Sequence, residues 1–149
     1  MEKLVREVMH RGVVTCETLN TVKEVARMIV DFDVHAVVVL DEMAEACGII
    51  TKTDVMRKYG QDTTKITAEQ AMTPHVICVK GDCTVAEAAA TMLNKRVHQL
   101  VVIKGEPAGR RPVGIISVTD IIKEIANRLK APERSPIDAR RDTDREVDG

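Results

Sequence analysis

The feature that most constrains this chain is that it is written twice. A shift of 63 residues lays Val13-Val14-Thr15 over Val76-Ile77-Cys78 and Thr21-Val22-Lys23-Glu24 over Thr84-Val85-Ala86-Glu87. The same shift pairs Val34-His35 with Val97-His98 and Val38-Val39 with Val101-Val102. It rises to 66 after a longer turn in the second copy, at residues 104–112. There Gly48-Ile49-Ile50-Thr51-Lys52-Thr53-Asp54 lies over Gly114-Ile115-Ile116-Ser117-Val118-Thr119-Asp120, identical at five of seven positions. Repeats are the first thing to establish, because they set the fold before any local preference does. Two copies, residues 1–62 and 63–129, account for most of the 149 residues. A unit of about 60 residues is marginal alone, so the copies are expected to pack against each other.

Each copy reads as β-α-β-β-α, an α/β (α+β) class. A short extended piece at 13–15 or 76–79 leads to a helix opened by Thr21 or Thr84, each with Glu three residues on, the spacing of a capping box. Behind these caps, Val22, Val25, Ala26 and Ile29, and likewise Val85, Ala88, Ala89 and Met92, form one apolar stripe per helix. Two β-rich runs follow in each copy, 36–40 with 48–51 and 100–103 with 113–117. They are apolar on both faces, as in strands covered by helices. A second helix closes each copy, from Asp54 to about Tyr59 and from Asp120 to about Leu129. The latter is expected to bury Ile121, Ile122, Ile125, Ala126 and Leu129. Residues 130–149 hold two prolines, dense mixed charge and only Ile137 and Val147 as larger apolars, which predicts a disordered tail or a short docking segment.

Charge and composition exclude several classes. Lys and Arg number 22 against 23 Asp and Glu, so the basic excess of a nucleic-acid binder is missing. Phe32 and Tyr59 are the only aromatics, which removes base-stacking platforms as well. No apolar run approaches the roughly 20 residues of a membrane helix, and residues 1–7 mix both charge signs, unlike a signal peptide. The chain is therefore expected to be soluble. Cys16, Cys47, Cys78 and Cys83 form no Cys-x-x-Cys. Cys16, Cys47 and Cys78 fall among apolar neighbours and read as small hydrophobes, with a metal or disulfide role as the alternative, and the compartment is expected to be reducing, hence the cytoplasm.

The chemistry concentrates in the repeated Gly-Ile-Ile-[Thr/Ser]-x-Thr-Asp at the junction of strand and second helix. One explanation is structural: Thr51 or Ser117 caps the helix and Asp54 or Asp120 answers three residues on. The other is a ligand site, since strand ends meeting helix starts in α/β units hold anionic and nucleotide ligands. Gly48 and Gly114 would let a ligand approach the backbone. Thr51, Thr53, Ser117 and Thr119 offer hydroxyls, and Asp54 or Asp120 can accept from ribose. His35 and His98, at matching places, are either satisfied edge residues or phosphate contacts. His10 and His75, opening the two copies, are either solvated loop residues or further phosphate contacts. No nucleophile–base pair, metal-ligand cluster or Gly-x-x-x-x-Gly-Lys phosphate loop is present, so no enzyme is expected.

The repeat resembles the CBS domain, the β-α-β-β-α unit named after cystathionine β-synthase, and residues 1 to about 126 look like a tandem, stand-alone CBS pair. The resemblance rests on 97–103 and 114–122, with 34–40 and 48–55 as their partners in the first copy. It implies two units about a pseudo-twofold axis, with two clefts for adenosine compounds: AMP, ADP, ATP, S-adenosylmethionine or NAD. It also implies that Asp54 and Asp120 hold ribose, that the hydroxyls before them reach ribose or phosphate, and that His35 and His98 contact phosphate. The Arg that often follows that His is replaced by Ala36 and Gln99, and a frequent Pro by Val38 and Val101. The expected function is a regulatory adenosine-ligand module of the AMP/ADP/ATP-sensing type. It would act through a homodimer that buries the second helices and signals to an unidentified protein. The alternative is a ligand-free protein–protein interaction module.

Overall fold

The computed structural model describes residues 2–107 and 109–128; the tail and Leu129 lie outside them. Its elements run α1 (Val5–Val8), β1 (His10–Arg11), β2 (Thr15–Glu17), α2 (Val22–Phe32), β3 (Ala36–Leu40), β4 (Ala46–Thr51) and α3 (Lys52–Met56). The second copy continues with α4 (Ala68–Ala71), β5 (Thr73–Pro74), β6 (Cys78–Lys80), α5 (Val85–Lys95), β7 (Gln99–Ile103), β8 (Pro112–Ser117) and α6 (Val118–Asn127). The unit expected from the repeat is present twice, and each copy adds a short helix and strand in front of it.

Two four-stranded sheets result, ordered β2-β3-β4-β5 and β6-β7-β8-β1. In each, the first long helix carries the chain between parallel neighbours, β2 with β3 and β6 with β7, and an antiparallel hairpin follows. The fourth strand of each sheet comes from the other copy. Thus β1 pairs with β8, and β5 pairs with β4. The short helices follow the same exchange: Val5 of α1 is fully buried in the second copy's core, and Ala68 of α4 in the first's.

The strand period of two explains why both faces are apolar. Val37, Val39 and Ile50 face the helices of the first copy, and Leu100, Val102 and Ile116 face those of the second. The alternate residues Ala36, Val38, Ile49 and Val101 meet in a third cluster between the sheets. The second face is therefore covered by the sister sheet, not by helices, and this is what joins the copies. Burying each such valine, leucine or isoleucine is worth about 1.5–3 kcal/mol.

Two local expectations are corrected. Both Thr caps form, but only Glu24 returns the bond to its cap backbone; Glu87 instead accepts from the Cys83 thiol at 3.4 Å. On α6, Ile121 packs on the core while Ile122 and Ile125 are 58% and 70% exposed, and Ala126 is exposed too. The helix carries apolar residues around too much of its circumference for one sheet to cover. No helix among the described residues is long and apolar enough to cross a membrane.

All four cysteines are free. Burial pushes the Cys16 thiol up to about 11, and burial with Glu87 beside it does the same for Cys83. Burial raises Cys47 as well, and raises Cys78 against the pull of Arg110. A raised pKa keeps a thiol protonated at neutral pH, which fits the reading of Cys16, Cys47 and Cys78 as small hydrophobes.

Candidate ligand-binding cleft

The repeated motif closes β4 and β8 and opens α3 and α6. Thr51 Oγ1 accepts from the Asp54 N–H at 3.2 Å, while Asp54 Oδ2 accepts from the Thr51 N–H at 2.9 Å and its hydroxyl at 3.0 Å. Ser117 and Asp120 reproduce this at 3.2, 2.8 and 3.0 Å. The capping explanation therefore holds in both copies, yet it does not use up the carboxylates. Each Asp is buried, the only polar side chains so placed among the described residues, and each commits Oδ2 to its cap and leaves Oδ1. A buried carboxylate oxygen needs a partner. Asp54 Oδ1 meets Arg57 Nη1 at 3.3 Å, and Asp120 Oδ1 meets His10 Nδ1 at 2.9 Å.

Beside Asp54 opens a cleft of about 440 Å³ between the copies. The first copy lines it with Thr51, Thr53, Asp54 and Arg57, and the second with Thr73, His75, Arg96, His98 and Gln99. Its walls are aliphatic, from Ile49, Ile77, Val97 and Val101. A recess of about 290 Å³ shares His75 and Val76 with it and is lined by Asp41, Glu45, Cys47 and Arg110.

Of the sequence-derived candidates, Thr51, Thr53, Asp54, His75 and His98 thus meet in one cleft. His10 and Asp120 meet each other, next to Ser117 and Thr119 at the start of α6. His35 is exposed at the start of β3 and its carbonyl accepts from the Lys52 N–H at 3.2 Å; the His98 carbonyl accepts likewise from the Val118 N–H at 2.9 Å. Arg57 and Arg96 were not among the candidates. Their signals were present: Arg57 lies three residues past the motif Asp, and Arg96 stands where the first copy has Asp33, a charge reversal within the repeat.

One expectation about the glycines fails. A Cβ on Gly48 would run into the Met72 side chain, and one on Gly114 would lie 2.6 Å from the His10 carbonyl oxygen and 2.8 Å from Met9 Sδ. The missing side chains make room for the exchanged segments, not for a ligand.

Comparison with known proteins places this architecture. The CBS domain family model matches residues 5–60 and again 68–127. An uncharacterized protein of Methanopyrus kandleri is 30% identical over 122 residues, 80% of this chain and 61% of that protein. Inosine-5'-monophosphate dehydrogenase of Methanocaldococcus jannaschii is 33% identical over 127 residues, 85% of this chain and 24% of the enzyme. The chain thus spans less than two thirds of either relative. Among solved structures, the CBS domain pair of protein MJ0100, in complex with 5'-methylthioadenosine and S-adenosyl-L-methionine, superposes with a TM-score of 0.77 at 24% identity. That match covers 87% of this chain and all of the other, 100%. The cytosolic domain of the Mg2+ channel MgtE in complex with ATP gives 0.69 at 24% identity, covering 83% and 49%. A hexameric CBS-CP12 protein from bloom-forming cyanobacteria gives 0.74 at 24% identity, covering 99% and 81%. Two family matches that together span most of the chain, on a fold with two sheets built to one plan, make this protein a member of the CBS domain family, carrying a tandem pair.

Proposed function

We propose that the chain is a cytoplasmic regulatory module that binds an adenosine compound between its two CBS domains and signals through a homodimer to another protein. The observation that carries this is the cleft itself. It sets Thr51, Thr53 and Asp54 of one domain across from His75, Arg96 and His98 of the other, in a volume of about 440 Å³, a size usual for small-ligand sites. Asp54 Oδ1 accepts from a ribose hydroxyl, Thr51 and Thr53 add hydroxyls, and Arg96 with the histidines meets phosphate. Adenine rests on the aliphatic wall, since no Phe, Tyr or Trp lines the cleft. A ligand touching both domains favours one arrangement of the pair by the difference in its affinity for the two. The ligands of MJ0100 and MgtE support the adenosine class; AMP, ADP and ATP are the members an energy sensor reads, with S-adenosylmethionine and NAD as the others. The module binds its ligand without converting it.

Thermal unfolding tests this against AMP, ADP, ATP, S-adenosylmethionine and NAD, with GTP as control. A ligand at about 100 times its Kd adds about 2.7 kcal/mol, or roughly 2–4 °C per kcal/mol. A rise with an adenosine ligand and none with GTP supports the sensor. No rise with any adenosine ligand sinks it and favours a ligand-free interaction module. The exposed Met56, Ile122 and Ile125 on the second helices, with Tyr59 in the turn after α3, speak for such contacts in either case.

A further inference from the structure

We infer that the two clefts of the pair are inequivalent: the Asp54 cleft takes one phosphate-bearing adenosine ligand per chain, and His10 closes the Asp120 side to it. This rests on the adenosine reading and deepens it by naming the occupied cleft, the stoichiometry and the ligand's charge.

Strand register defines which residues correspond. Thr73 of β5 lies opposite Ile49, and His10 of β1 lies opposite Ile115. The two residues therefore hold the same place beside the two motif carboxylates. Thr73 is short, and Asp54, which lines the cleft, has Arg57 as the partner of its Oδ1. His10 is long enough to reach across, and its Nδ1 lies 2.9 Å from Asp120 Oδ1. Asp120 Oδ2 already accepts from the Ser117 N–H and hydroxyl, and the imidazole stands against the oxygen a ribose would need. Arg57 also touches Asp54, at a longer 3.3 Å. It comes from the next helix turn, and its fork of five N–H groups can hold Asp54 and a ligand oxygen together.

The second difference is a reversed charge. Arg96 and Asp33 are the residues that end α5 and α2, both left-handed, with φ of 56° and 51°. Arg96 lines the Asp54 cleft, and its guanidinium matches phosphate in charge and shape. The equivalent backbone position of the first copy holds Asp33, a carboxylate where the Asp54 cleft has a guanidinium. His75 likewise has Gly12 as its counterpart. Lys123 stands where Arg57 does and His35 where His98 does. The lining positions that change character are His10, Arg11 and Gly12 in place of Thr73, Pro74 and His75, Asp33 in place of Arg96 and Ala36 in place of Gln99. Since Arg11 returns a cation to the Asp120 side, His10 against Asp120 is the difference that closes it.

Equilibrium dialysis of the full chain with AMP, ATP, S-adenosylmethionine and adenosine tests this. The expected result is one site per chain, with AMP or ATP bound tighter than adenosine by roughly tenfold or more. Binding is lost in Asp54→Asn and kept in Asp120→Asn. It is also lost when Thr73→His and Arg96→Asp are combined, which writes the other side's residues into this cleft. Both replacements already occur at equivalent backbone positions, and a circular-dichroism melt confirms that the double variant folds. Two equal sites per chain, or loss in Asp120→Asn with retention in Asp54→Asn, overturns the inference and leaves the adenosine reading standing. Equal affinity for adenosine and AMP overturns the phosphate preference. No binding of any of the four compounds overturns the adenosine reading, and this inference with it.

Discussion

Gly48 and Gly114 sit at identical places in the repeat and meet different obstacles, so their substitution separates them. At Gly48 a new methyl group meets the flexible end of Met72, whereas at Gly114 it meets the backbone carbonyl of His10. A thioether can rotate aside, but a carbonyl in the β1–β8 ladder cannot move without the strand. Gly48→Ala is therefore expected to cost about 1–3 kcal/mol, the usual range for overpacking, and Gly114→Ala distinctly more. Urea unfolding of the two variants checks the order, and a reversed order would show that the exchanged segments do not fill these spaces. The same two positions mark what residue-level reading could reach. A glycine in a strand signals a close approach, but the sequence does not say whether a ligand or another piece of chain approaches. Asp54 and Asp120 were legible for the opposite reason: their caps are local, three residues apart, and follow from backbone chemistry alone.

At the scale of elements, the caps and the long turn of the second copy behave differently. Thr21 and Thr84 both accept from the third N–H of their helices, at 3.1 Å each. Losing either, as Thr21→Ala or Thr84→Ala, is expected to cost about 1 kcal/mol. The glutamates are not equivalent, because the Thr21 N–H holds the Glu24 carboxyl below its ordinary range while Glu87 is turned to Cys83. Urea midpoints are expected to fall for Glu24→Ala and to stay nearly constant for Glu87→Ala; equal falls would mean that Glu87 supports its helix by another route. The helix starts were thus readable from spacing, and the side-chain exchange at Glu87 was not, since a thiol one residue before the cap competes for it. The long turn was visible as the rise in offset, yet its destination was not. Arg110 donates its N–H to Glu45 at 2.8 Å and its guanidinium to the Val76 carbonyl at 2.8 Å, and its own carbonyl accepts from Ala46 at 3.0 Å. The insertion therefore ties the second copy to the β3–β4 turn of the first, next to the cleft.

For the whole molecule, the exchange of leading segments carries the strongest consequence. The second copy is complete in sequence from residue 63 onward, but its sheet borrows β1 and its core borrows Val5. Deleting residues 1–12 is expected to remove a buried valine worth about 1.5–3 kcal/mol together with the β1 ladder. That is a large share of a total stability of roughly 5–15 kcal/mol. Circular-dichroism melting should show a markedly lower midpoint or no folded state; an unchanged midpoint would mean that the exchange contributes little. By itself, the amino-acid order determined the repeat, the helix caps, the strands apolar on both faces and the motif that ends in Asp54 and Asp120. All of these follow from period and spacing over a few residues. Only the tertiary structure decided which leading segment docks on which sheet, that the second strand faces meet each other, that Ile122 and Ile125 stay exposed, and that Asp54 opens on a cleft while Asp120 is held by His10. Those outcomes depend on contacts between residues tens of positions apart, where two nearly identical copies offer competing partners and the choice is made by shape and charge across the interface.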